Sequence, residues 1–123
     1  VIIMNSDLLD LFLAPITGLG DDSESVEYYR KLKIQDKNDY KKIINEIIVE
    51  EFEELNEQQK LNAKLVLSYY LTSNAIDFER VFESVLPPFD PPYPVRNFFL
   101  WIWECIFLNE SYEFTEEYYK IIK

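Results

Sequence analysis

Six glutamates crowd into the run Glu46-Ile47-Ile48-Val49-Glu50-Glu51-Phe52-Glu53-Glu54-Leu55-Asn56-Glu57, and no basic residue interrupts them. Carboxylates gathered in this way can hold cations, move protons, or cleave glycosidic bonds when two of them face a substrate at the right separation. Here their abundance singles out no such pair, so a carboxylate enzyme is the weaker expectation and no residue is assigned a catalytic role. The chain contains no histidine, which removes the usual general base and the commonest transition-metal ligand. Nucleophilic systems of the Ser–His–Asp or Cys–His kind therefore cannot be assembled within it.

Other candidate chemistry fails on spacing. Gly18-Leu19-Gly20 lacks the third glycine and the lysine of a phosphate loop, and Asp21-Asp22 would repel phosphate. Asp36-Lys37-Asn38 opens like a calcium loop, but Tyr40 and Lys41 stand where a ligand and the turn glycine belong. No cofactor or metal site is expected. The segment Leu86-Pro87-Pro88-Phe89-Asp90-Pro91-Pro92-Tyr93-Pro94 matches PxxP at Pro88/Pro91 and Pro91/Pro94, the pattern read by SH3 and WW domains. A stiff strap packing Phe89 and Tyr93 against the body is the preferred reading.

The acidic run lies in the C-terminal half of a predicted helix whose first turns carry Lys41 and Lys42. A helix prefers the reverse order, each misplaced exposed charge costing about 0.3–1 kcal/mol at low salt. Like charges at Glu46/Glu50, Glu50/Glu54, Glu50/Glu53 and Glu51/Glu54 add a few tenths each. A negative patch held against local stability suggests a surface kept for a positively charged partner. At about 100° per residue, Glu46, Glu50 and Glu53 point outward beside Lys42 and Val49. Glu54 and Glu57 extend that face, and Glu46, Val49, Glu50, Glu53, Glu54 and Glu57 are the predicted partner-binding residues. Glu51 instead projects into the apolar arc of Ile44, Ile47, Ile48 and Leu55. A carboxylate there must reach water at the rim of the core or a frayed helix end, or else pair with a basic residue or tyrosine.

Seven helical segments are expected and no strand, giving an all-α class, a compact bundle of about six to seven helices. Ser6 caps a first helix carrying Leu8, Leu9, Leu11 and Phe12. Asp22 or Ser23 caps a second, with Val26, Tyr29 and Leu32 inward. Asn38 caps the third, through Leu55. Asn56-Glu57-Gln58-Gln59 forms a capping box for a fourth helix to about Thr72, apolar over a wide arc. A fifth carries Ile76, Phe78, Val81, Phe82 and Val85. The sixth, spanning 94–109 with Pro94 in its first turn, is apolar almost all round except at Asn97 and Glu104 and should be the bundle's centre. Thr115 caps a short last helix.

At 123 residues the chain is expected to be a single all-α domain, 1–123, with Met4 a candidate start and residues 1–3 foreign to it. A net charge of −11 argues against nucleic acid or an anionic membrane as partner. The lone cysteine, Cys105, and the lack of a secretory signal point to a reducing, cytoplasmic setting.

Taken together, the profile resembles the small acidic immunity proteins that bacteria pair with polymorphic toxins, including those of contact-dependent growth inhibition. The resemblance is to size, charge and helical character over the whole chain, not to a motif. It implies a non-catalytic protein that binds and neutralises a cognate basic toxin domain, such as a nuclease, with no small-molecule substrate. The acidic face would mimic phosphates, and Val49, Tyr69 and Tyr70 are candidate anchors. Two further readings are a nucleic-acid-mimicking inhibitor of a host nuclease and a helical assembly subunit, the latter suggested by the apolar sixth helix.

Overall fold

The computed structural model describes residues 6–108 and 110–113. All regular structure among them is helical, an all-α fold, and the helix expected from Thr115 lies outside them. The chain opens with a 3-10 turn, Ser6–Leu9, then α1 (Asp10–Leu13) and a second 3-10 turn, Ala14–Ile16. These short pieces bury Leu9, Phe12, Leu13 and Ile16 completely or nearly so. After a further turn, α2 (Ser23–Lys31) buries Tyr29 and leaves Leu32 exposed, contrary to the expectation for Leu32.

The long third helix has three parts: α3 (Lys37–Ile43), a π-helical stretch Ile44–Val49, and α4 (Glu50–Glu53). Backbone angles stay right-handed helical across both junctions, so it is one continuous rod. Its cap is Asp36 rather than Asn38. The Asp36 carboxylate accepts from the Asp39 amide at 3.0 Å, while Asp39 accepts from the Gln35 and Asp36 amides at 2.9 and 3.2 Å. Those backbone donors hold the Asp39 carboxyl below its ordinary pKa. The cap's contribution is therefore complete above the ordinary carboxylate range and lost as pH falls through the depressed value.

α5 (Glu57–Ser73) starts at the expected capping box, Asn56 accepting from the Gln59 amide at 2.8 Å and Gln59 from the Asn56 amide at 3.1 Å. Asn74 ends it in the left-handed region, φ 52. Arg96 reaches across to donate to the Leu71 carbonyl at 2.7 Å and the Asn74 side chain at 2.8 Å, placing a cation where the helix dipole favours one. α6 (Phe78–Ser84) is capped by Asp77, so Ile76 precedes the helix rather than lying in it.

α7 (Arg96–Phe107) is the centre of the bundle, with Phe98, Phe99 and Ile102 fully buried and both Trp101 and Trp103 enclosed. It is shorter than the expected 94–109. The amides of Asn97 and Phe98 bond to Pro94 and Val95 through a tighter i→i+3 turn, and Leu108 leaves the helix at φ 50. Glu104, on its predicted polar edge, faces Lys37 at 3.4 Å and Lys41 at 3.2 Å. Burial pushes the neighbouring Cys105 thiol up and away from reactivity. Beyond α7, Trp103 Nε1 donates to the Glu110 carbonyl at 2.8 Å and Ser68 Oγ to the Tyr112 carbonyl at 2.6 Å, so residues 110–113 lie along α5 and α7.

The proline segment is a strap, as expected, though only one of its aromatics packs inward. Phe89 sits among Tyr29, Tyr40, Phe82 and Phe98 with ring centroids 5.1 to 6.3 Å apart in the cluster, whereas Tyr93 is 74% exposed. Tyr40 Oη donates to the Asp90 carbonyl at 2.8 Å. Pro88 is buried, so the first PxxP match offers no docking face. The glycine loop clamps the start of the strap: the Gly18 amide donates to Val85 at 2.6 Å and the Gly20 amide to Leu86 at 2.7 Å. A Cβ on Gly20 would meet the carbonyl oxygens of Pro87 and Leu86 at 2.7 and 2.8 Å.

Gly20→Ala should therefore cost about 1–3 kcal/mol by forcing the strap outward. Gly18→Ala, with open space but φ +80, should cost about 1–2 kcal/mol through backbone strain alone. Urea unfolding checks both, and an unaffected Gly20→Ala midpoint would contradict the clamp.

A candidate acidic groove

Large buried side chains on the third helix recur every four residues: Tyr40, Ile44, Ile48 and Phe52. On a regular α-helix each such step overshoots by about 40°, so Phe52 would have swung well off the core face. The wider π turn over Ile44–Val49 absorbs the overshoot. Phe52 lands in the core, stacked on Phe12 at 5.8 Å and edge-on to Phe107 at 5.6 Å. Every residue after the wide turn is rotated by the same correction.

Glu51 is one of these residues. It is exposed, although the helix continues intact to Glu53, so it reaches water through the change of register and not through fraying. With Glu46, Glu50 and Glu54 it lines an open groove of about 450 Å³ whose apolar wall is Ile47 and Pro15. Pro15 is placed there by the 3-10 turn Ala14–Ile16, anchored through fully buried Ile16.

The predicted site thus divides. Glu46, Glu50 and Glu54 come together, joined by Glu51. Glu53 points elsewhere and pairs with Lys60 at 3.5 Å, and Lys60 also lies over the Phe52 ring at 6.0 Å. Val49 is a correction: it is half-buried and packs against the core, because the π turn carries it inward. Glu57 is exposed in the first turn of α5, where the dipole favours it. Tyr70 is buried and Tyr69 half-buried against it, their rings 5.0 Å apart.

Electrostatically the groove is one-sided. Among the described residues, ion pairs engage Glu27, Glu53, Glu104 and Glu110, and none engages Glu46, Glu50, Glu51 or Glu54. Two lysines earlier in the same helix are committed away from it, Lys37 and Lys41 to Glu104 on α7, while Lys42 is exposed and makes no ion pair among the described residues. Among the described residues no three His, Cys, Asp or Glu side chains gather closely enough to hold a metal ion. The arrangement suits several spread cationic groups, such as guanidinium or ammonium side chains entering along the helix, better than one compact ion. The four-residue spacing of Tyr40, Ile44, Ile48 and Phe52 was the sequence signal for Glu51's membership, since a straight helix cannot bury all four.

Comparison with known proteins adds no relative: no protein-family model matches the chain, and neither a curated protein nor a solved structure does.

Local electrostatics make the groove testable through stability. Glu54→Lys removes repulsion and places a cation at the helix C-terminus, so it should raise stability by about 0.3–1 kcal/mol at low ionic strength, with the gain shrinking in high salt. Glu51→Gln should stay within about 0.5 kcal/mol of the parent, as an exposed side chain must. Chemical denaturation at two salt concentrations reads both; a loss of several kcal/mol at Glu51 would mean that it is buried.

Proposed function

We propose that this chain is a non-catalytic immunity protein that binds a cognate basic toxin domain through the acidic groove and neutralises it in the cytoplasm of the producing bacterium. The observation that carries this reading is the set of four carboxylates, Glu46, Glu50, Glu51 and Glu54, gathered at the unfavourable end of a helix and left unpaired by the chain's own cations. Lysines and arginines of the toxin would supply the missing charge, much as they would otherwise grip phosphates of a nucleic acid. Complementary fields of this kind accelerate encounter and reject wrong partners more than they raise affinity. The hydrophobic wall of Pro15 and Ile47 would take the aliphatic stems of those cations. No helix among the described residues is long and apolar enough to cross a membrane, which is compatible with this role.

The test is co-purification with the product of the neighbouring gene, followed by assay of that product's toxic activity with and without this protein. The reading expects a stable complex and loss of activity; a neighbour whose activity is unchanged at saturating concentrations removes it. Within the complex, Glu50→Lys with Glu54→Lys should slow association by about tenfold or more at low salt and flatten its salt dependence. Glu53→Lys, whose carboxylate already has a lysine beside it, should do much less. Stopped-flow or surface-capture kinetics would show the difference, and equal effects at all three positions would place the contact elsewhere.

A further inference from the structure

A second concavity lies on another part of the molecule, where α2 and the proline strap meet. It encloses about 320 Å³ between Val26, Tyr29 and Ile34 on one side and Pro88 and Phe89 on the other, with Arg30, Lys33 and Asp90 also lining it. That volume falls at the small end of the range for small-molecule sites. Its aromatic lining is well supported, because Phe89 is held against Tyr29 at 5.3 Å and against Tyr40 at 6.2 Å.

The polar groups here are mostly donors. Tyr29 is only 9% exposed, and its hydroxyl, which still reaches solvent, makes no hydrogen bond to another described residue. The equivalent hydroxyl of Tyr40 is already spent on the Asp90 carbonyl at 2.8 Å. Lys33 has no ion pair among the described residues, and Arg30 has only an exposed one to Glu27 at 3.5 Å. Two cations and an unclaimed phenol therefore stand against the single carboxylate of Asp90. In a chain of net charge −11, this is a cavity where an anion meets more donors than acids.

We propose that the cleft between α2 and the strap binds a small aromatic monocarboxylate, its ring against Phe89 and its carboxylate accepting from Tyr29 Oη and from Lys33 or Arg30. The site is spatially separate from the acidic groove, and the sequence reading, which expected no small-molecule partner, held no sign of it. Tyr29 and Lys33 lie close together in the chain, and the strap's path brings the distant Phe89 to them. Burial raises the Tyr29 pKa, and Tyr28 and Glu46 raise it further, so the phenol keeps its proton and remains a donor at neutral pH. Asp90 and the field of Glu46 disfavour a second negative charge, which limits the ligand to a monoanion.

The test uses the full chain, with indole-3-acetate as probe and indole-3-acetamide as its neutral counterpart, followed by amide chemical shifts. The acid should give saturable shifts centred on Val26, Ile34 and Phe89, and the amide should bind about tenfold more weakly, as expected for losing a charge-assisted hydrogen bond. Tyr29→Phe keeps the ring and should weaken the acid by about five- to tenfold while leaving the amide unchanged. Lys33→Gly removes a cation at φ 50, where glycine is unstrained, and should weaken the acid alone. An absence of saturable shifts up to the solubility limit of the acid overturns the proposal. Equal binding of acid and amide, or of Tyr29→Phe and the parent, overturns it as well.

Discussion

Four large side chains spaced four residues apart must all reach one core, and a helix wound at 3.6 residues per turn cannot deliver them. The π-helical stretch Ile44–Val49 resolves this conflict, and much of the molecule follows from it. It brings Phe52 back over Phe12 and Phe107, seats Ile44 and Ile48 against α7, and keeps Tyr40 at the other end beside Trp101 and Phe98. Each of these rings and aliphatics is worth about 1.5–3 kcal/mol when buried. The like-charge and dipole penalties of the acidic run amount to tenths each. Core packing therefore dictates the register, and the glutamates go where the register sends them.

The same helix sorts its charges by side. Lys37 and Lys41 project toward α7, where Glu104 is the one acidic residue of the helix, and the three form a bridge between the two elements. Two of the third helix's three lysines are drawn into that bridge, leaving Lys42 exposed. A second tie, Arg96 to the end of α5, uses a cation of α7 in the same way and stacks it on Tyr112 at 5.5 Å. Interior positioning thus consumes basic side chains, and the unbalanced charge accumulates on the outer face of the third helix.

How far the sequence revealed this depends on whether a feature is local. The Asn56–Gln59 capping box, the end of its helix near Thr72 and the enclosure of Trp101 and Trp103 follow from short-range pattern, and the structure contains them. The start of α7 was misplaced because proline tolerates a first turn whether or not the turn is α-helical. Glu51 and Val49 were misassigned for one common reason, since both lie within or just beyond the wide turn and a constant 100° step cannot represent it. Tyr93 was misread because a proline-rich strap fixes direction without fixing which of its side chains turns inward. The clamp of Gly18 and Gly20 on Val85 and Leu86 spans more than sixty residues of chain and is invisible to any local rule.

The acidic groove and the aromatic cleft are separate concavities, but their electrostatics meet at Tyr29. Its pKa is raised first by burial, then by Tyr28 and then by Glu46, and Glu46 belongs to the groove. A cation docking beside Glu46 would offset only the last and smallest of these influences. Burial would still favour the neutral phenol, so the hydroxyl would remain a donor whether the groove is filled or empty. The coupling has a defined sign all the same. Positive charge arriving at Glu46 lessens the negative field over the cleft, which makes a carboxylate there easier to hold, and by linkage an anion in the cleft makes the groove more attractive to a cation. Two surfaces that share little sequence can thereby favour each other's occupation through the field of Glu46, with the tyrosine unchanged.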